Sequence, residues 1–167
     1  MNNKEGLMKQ EITRDITIRK LNKNEAIPYD LLLSADPSRF SIETYIESSE
    51  IYVAIFKGKV IGVFVLYPLS SDAYEIKNIA VEEQHQNKGI GKFLLSTATK
   101  ITVDKKAKVL IIGTSNSSIG QLYLYQRSGF EITGIKYNFF LDNYHEPVFE
   151  NEIQCKHMIV LQKKLHE

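Results

Sequence analysis

Residues 74–93 read YEIKNIAVEEQHQNKGIGKF, and this stretch decides the fold. An apolar, strand-like run from Tyr74 to Val81 leads into a polar turn, then Gly89 and Gly91, then the start of a helical pattern. A strand that feeds a glycine-rich turn into a helix N-terminus builds an anion cradle. The first amides of a helix have no intrahelical partner and lie at the positive end of its dipole. Glycine lets a ligand's oxygens come close to those amides. The strand's alternation has a flaw. Side chains change face at each residue of a strand, and Ile76 has the opposite parity to Ile79 and Val81. One extra residue near Lys77 and Asn78 brings all three onto a common face. This predicts a β-bulge, a feature enriched beside sites of chemistry, and one that leaves an amide unpaired.

Working outward, Ile90, Phe93, Leu94, Thr97, Ala98 and Ile101 recur at spacings of three and four, which predicts a helix with one buried stripe. Val109 to Ile112 is a short apolar run of the kind found in strands covered on both faces. Gly113 to Ser117 reads as a loop. Ser118 and Gln121 have capping-box spacing, so a helix is expected from there to Ser128. Gly129-Phe130 then fits a left-handed stop with an apolar contact. Glu131 to Phe140 and Gln154 to Leu165 predict two closing strands around a less regular segment, LDNYHEPVFENEI. Upstream, Ile16 to Leu21 predicts a first strand. Asn24 is the expected cap of a helix carrying Ala26, Ile27, Leu31 and Leu32, with Pro28 in its first turn. Asp36-Pro37-Ser38 breaks the chain, and Phe40 to Ser48 predicts a second helix. Ile51 to Phe56 and Val60 to Leu69, joined through Lys57-Gly58-Lys59, predict a β-hairpin. The result is a mixed sheet covered by helices, with a right-handed βαβ unit over Tyr74 to Ile112.

A chain of 167 residues is expected to form one domain, here 16–167 behind a flexible segment 1–15. It buries about two thirds of the surface of the unfolded chain. Hydrophobic residues make up 43%, charged residues 25%, and the formal net charge is +1, so nothing favours nucleic acid or an anionic membrane as partner. The single Cys155 excludes an intrachain disulfide and fits a reducing compartment. No apolar run has the length of a membrane span, and MNNKEGLMKQEITRD lacks the apolar core of a signal peptide. A cytoplasmic location is the expectation.

These residues have a family likeness. Gln86-Asn87-Lys88-Gly89-Ile90-Gly91 follows the pattern Q/R-x-x-G-x-G/A, and the sequence resembles the GNAT superfamily of N-acetyltransferases. The xEIKNIAV strand precedes that loop, an amphipathic helix follows it, and Asn116 to Phe130, NSSIGQLYLYQRSGF, is similar to the family's N…A…LYxxxGF segment. The likeness implies a mixed, mostly antiparallel central sheet of about seven strands flanked by about four helices, bulged in its central strand. It also implies transfer of an acetyl group from acetyl-CoA to a primary amine of a small molecule or peptide, by direct attack in a ternary complex. A non-catalytic acyl-CoA-binding regulatory module is the alternative, because it would share the same loop.

On that likeness, the amides of Gln86, Asn87, Lys88, Gly89, Ile90, Gly91 and Lys92 hold the coenzyme's diphosphate. Those of Ile79, Ala80 and Val81 pair with the pantetheine arm, and the amide near Ile79 faces the developing oxyanion. Glu75 stands at the general-base position, with water alone or a solvated strand glutamate as the other readings. Tyr125 stands at the general-acid position, with Tyr123 and Tyr137 as neighbouring phenols. Asn116 is expected either on the coenzyme arm or in a turn. The acceptor is expected between the early helices and Leu141 to Ile153. There Asp142, Glu146, Glu150 and Glu152, with Tyr144, His145 and Phe149, suit a cationic amine. Four histidines without ligand spacing and a lone thiol give no metal site. The closing strands leave a homodimer open.

Overall fold

The computed structural model describes residues 13–165, so most of the 1–15 segment, and His166, lie outside the described residues. In chain order the elements are β1 (Thr17–Lys20), α1 (Tyr29–Ala35), α2 (Arg39–Tyr45), β2 (Glu50–Phe56), β3 (Lys59–Pro68), β4 (Ala73–Val81), α3 (Ile90–Asp104), β5 (Val109–Ser115), α4 (Ile119–Arg127), β6 (Glu131–Lys136), α5 (Phe139–Asn143), β7 (Phe149–Glu150), β8 (Ile153–Gln154) and β9 (Met158–Lys164). Seven strands form a sheet in the order β1-β2-β3-β4-β5-β9-β6. The β1–β2, β2–β3, β5–β9 and β9–β6 pairings are antiparallel. Among the described residues no helix is long and apolar enough to cross a membrane. The chain divides into two compact units, the described part of Met1–Pro68 with Ile76–Ile101, and Leu69–Glu75 with the described part of Thr102–Glu167.

In the first unit, α1 begins one turn later than the sequence suggests. Asn24 does not cap it. Glu25 is held by Arg19 and by the Asn22 amide, which closes a separate turn, and Pro28 takes the N-cap position of α1. Ser38 caps α2, its hydroxyl accepting from the Ser41 amide at 3.1 Å. The β2–β3 turn is two residues long, with Lys57 and Gly58 both at positive φ, as a hairpin turn of matching twist requires. Ala54 pairs with Gly62 but Ile55 pairs with Val60, so Ile61 is an extra residue on β3. Leu32, Ile42 and Tyr45 cover Val53, Val63, Val65 and Ala80. Phe64 is fully buried and its ring stacks on Tyr52 at 4.9 Å.

The parity reading of β4 needs correction. Burial along it alternates without a shift, and Ile76, Asn78 and Ala80 take the most buried face. Ile76 therefore does not share a face with Ile79 and Val81, and the alternation supplies no bulge at Lys77 and Asn78. A polar residue occupies a core position, and that is what misled the hydrophobic count. The Asn78 Nδ2 donates to the Leu32 carbonyl at 3.0 Å and to the Tyr45 hydroxyl at 3.4 Å.

In the second unit, β6 ends earlier than expected. Asn138 turns the chain with φ 57°, its amide donating to His157 Nδ1 at 2.9 Å, and α5 follows. Ser118 sits at the N-cap of α4 without the expected capping bond, because its hydroxyl donates to Glu150 instead. Gly129 has φ 87° and Phe130 is buried behind it, as the Gly-Phe pair predicts. The β7–β8 hairpin turns on Asn151 and Glu152, both left-handed. Asn tolerates this conformation, but Glu bears a cost of roughly 1–2 kcal/mol. Glu152→Gly is therefore expected to stabilise the protein by about 1 kcal/mol, raising the thermal midpoint by a few degrees. An unchanged or lower midpoint would show the turn to be unstrained.

Candidate functional site

The first unit holds the turn that the sequence singles out. β4 ends at Val81, and the Glu82 amide donates to the carbonyl of Ile61, the extra residue of β3, at 2.8 Å. A short turn of 3-10 helix, Glu83–His85, follows. The Gln86 Nε2 reaches back to the Val81 carbonyl at 2.9 Å, and the Lys88 Nζ to the Gln84 carbonyl at 2.7 Å. Two left-handed residues, Asn87 (φ 60°) and Gly89 (φ 85°), swing the chain into α3. The first helical bond runs from the Phe93 amide to the Gly89 carbonyl at 3.1 Å. The amides of Gly89, Ile90, Gly91 and Lys92 therefore precede the ladder, and helix geometry gives them no partner. They stand at the positive end of a 15-residue helix anchored by the buried Ile90 and Leu94. This arrangement is suited to an anion with several oxygens, such as a diphosphate.

Ile79, Ala80 and Val81 lie on the strand just before this turn, Ala80 turned into the core. A cavity of about 600 Å³ opens beside it, lined by Pro28, Asp30, Leu31 and Ser34 of the α1 region and by Val60, Val81, Glu82, Glu83 and Gln86. Its walls are partly apolar and partly acidic. Asn78 is a feature that the sequence reading missed. It is 4% exposed, and its Oδ1 has no hydrogen-bond partner among the described residues. The Leu32 carbonyl can only accept, so the amide orientation is fixed and Oδ1 remains a buried acceptor. The available signal was a lone polar residue at the position between Ile76 and Ala80 on their shared face.

The second unit holds the remaining candidates. Tyr125 lies on α4, 4% exposed, its ring tilted against Phe130 at 6.3 Å. Burial first, and the nearby Glu150 carboxylate second, push its phenol well above the ordinary range. The alternatives Tyr123 and Tyr137 are 67% and 73% exposed, so Tyr125 is the buried phenol of the three. Glu150 accepts from the buried Ser118 hydroxyl at 2.5 Å. The sequence reading grouped it with acceptor-facing acids and missed its tie to Ser118. Asn116 uses both ends of its amide. Nδ2 donates to the Gln154 carbonyl at 3.1 Å, and Oδ1 accepts from the Lys156 and His157 amides at 2.8 and 2.9 Å. That is a clamp on the 154–157 backbone. Glu75 is half-buried on β4, with the same parity as Ile79 and Val81. Cys155 is buried with its Sγ 3.0 Å from the Ser117 hydroxyl. Among the described residues no group of three or more His, Cys, Asp or Glu is placed to hold a metal ion.

Comparison with known proteins agrees with this geometry. A family model described as an acetyltransferase (GNAT) domain matches residues 47–132. The uncharacterized N-acetyltransferase YvbK of Bacillus subtilis is 47% identical over 80% of this chain and 86% of its own length. A GNAT family acetyltransferase from Elizabethkingia anophelis, solved with acetyl-CoA bound, is 52% identical with a TM-score of 0.89, over 90% of this chain and 99% of that one. A Bacillus subtilis acetyltransferase solved in complex with CoA is 42% identical with a TM-score of 0.84, over the same shares of the two chains.

Proposed function

Since the chain belongs to the GNAT acetyltransferase family, we propose that it moves the acetyl group of acetyl-CoA onto a primary amine of a small molecule or peptide, by direct attack within a ternary complex. The observation that carries this reading is the turn from Gln86 to Lys92. Its left-handed Asn87 and Gly89 deliver the amides of Gly89 to Lys92 to one place at the head of α3. Those amides hold the diphosphate, and the β4 backbone from Ile79 to Val81 holds the pantetheine arm. Acetyl-CoA supplies the activated acyl group, and the remaining work falls to the chain. Glu75, through water, takes the proton that an ammonium must lose before it attacks. The amide near Ile79 stabilises the oxyanion as the N–C bond forms. Tyr125 gives a proton to the thiolate as the C–S bond breaks. Asn116 acts as the clamp that fixes the backbone beside α4. The acidic lining of the cavity at α1, from Asp30, Glu82 and Glu83, favours a cationic acceptor.

A thiol-release assay with acetyl-CoA and a panel of amines tests this. Turnover with at least one primary amine is expected, with cationic amines the better substrates. Coenzyme binding without turnover across the panel would favour a non-catalytic acyl-CoA-binding protein. Gly89→Ala probes the cradle itself. At φ 85° an added Cβ costs about 1–2 kcal/mol, so the KM for acetyl-CoA is expected to rise roughly tenfold while kcat changes little. An unchanged KM would remove Gly89 from the binding turn.

A further inference from the structure

β6 is the last strand of the seven-stranded sheet and, among the described residues, pairs with β9 alone. One row of its backbone N–H and C=O groups therefore points away from the sheet, and such edges are usually blunted by charge or brevity. This edge instead presents Ile132 and Ile135, which are 52% and 46% exposed. Their placement follows from an irregularity. Ile132 lies opposite Leu161 and Gly134 opposite Val160, so Thr133 is an extra residue, and Ile135 lies opposite Ile159. Leu161 and Ile159 share a face of β9, so Ile132 and Ile135 share a face of β6 despite their odd spacing. By the same register Glu131, opposite Gln162, and Lys136, opposite Met158, share the other face.

We propose that this edge pairs with the β6 edge of a second copy of the chain. The two strands run antiparallel about a two-fold axis between Thr133 and Gly134. Glu131 of each copy then faces Lys136 of the other, and Ile132 faces Ile135. Residues directly opposite one another in an antiparallel pair project on the same side of the sheet. In a regular strand Glu131 and Lys136 would project on opposite sides, and no symmetric register could join them. The extra residue at Thr133 removes that obstacle. One register then matches acid with base on one face and isoleucine with isoleucine on the other. Such self-matching is what an isologous contact demands. A different partner carrying a single charge sign would satisfy only one end of the strand, which is why a second copy is the occupant.

The full chain is tested by sedimentation velocity over a dilution series from micromolar to a few hundred micromolar. A dimer that dissociates on dilution is expected. Glu131→Lys and Lys136→Glu each convert two attractive pairs into repulsive ones and should weaken the dimer roughly tenfold. Combining them restores opposite charges in every pair, so the double variant should recover the wild-type dimer constant. Ile135→Lys should give monomer, with the wild-type thermal midpoint serving as the check on folding. A wild-type protein that is monomeric throughout overturns the proposal. So does a dimer indifferent to the single charge reversals, or a double variant that is not rescued.

Discussion

Tyr125→Phe is expected to lower kcat at least a hundredfold while leaving the KM for acetyl-CoA within a factor of about two. The change removes one oxygen from a ring that is almost fully buried, so the packing against Phe130 survives. On the proposed mechanism, what is lost is the proton. A thiolate leaving in a dry site needs one, and the buried phenol keeps its proton because its ionised form is disfavoured twice, first by burial and then by the Glu150 carboxylate. Raising a phenol's pKa preserves the protonated form to higher pH, so the alkaline limb of kcat is expected above the ordinary tyrosine range. Glu150→Gln removes the negative neighbour and is expected to shift that limb to lower pH. A Tyr125→Phe enzyme that keeps more than a third of its kcat would take the acid role away from Tyr125 and leave thiolate departure to solvent.

Phe64→Ala is expected to carry the largest cost in stability. Phe64 is fully buried in the middle of β3 and stacks on Tyr52. Truncation leaves a void that a sheet strand cannot close by shifting, and comparable sites lose about 3–5 kcal/mol. That corresponds to a thermal midpoint lower by roughly 10 °C. Phe64→Leu, which keeps most of the volume, should lose much less. Denaturant titration of the three proteins decides the point. A loss under about 1 kcal/mol for Phe64→Ala would mean that the surrounding side chains repack and that this part of the core is loosely specified.

How much of this was readable beforehand depended on whether the signal was local. The β2–β3 hairpin, the α3 stripe and the Gly129 stop rest on turn chemistry and periodicity within a few residues, and all are found where expected. The turn from β4 into α3 was legible for the same reason, since a strand, two glycines and a helix are consecutive in the chain. Ser118 and Asn78 were misread because their hydrogen bonds run to distant partners, and Asn24 because its neighbour Glu25 closes a separate turn. Glu25 closes its turn with Arg19 rather than yielding to Asn24, Ser118 meets Glu150 across 32 residues, and Asn78 meets Leu32 across 46. Apolar parity cannot see a polar side chain whose partner lies elsewhere in the fold. The α5 helix was hidden because Asn138 turns the chain in a segment that otherwise continues the strand pattern.

The carbonyl of Ile61 ties the β2–β3 hairpin to the end of β4. It is free to receive the Glu82 amide because its residue has dropped out of step with β2. A misfit in one hairpin thus serves as the mooring post for the turn into α3, the one proposed to hold the coenzyme's diphosphate. Deleting a single residue from β3 to mend the ladder would take away the acceptor that ties the end of β4 in place and cast that turn adrift.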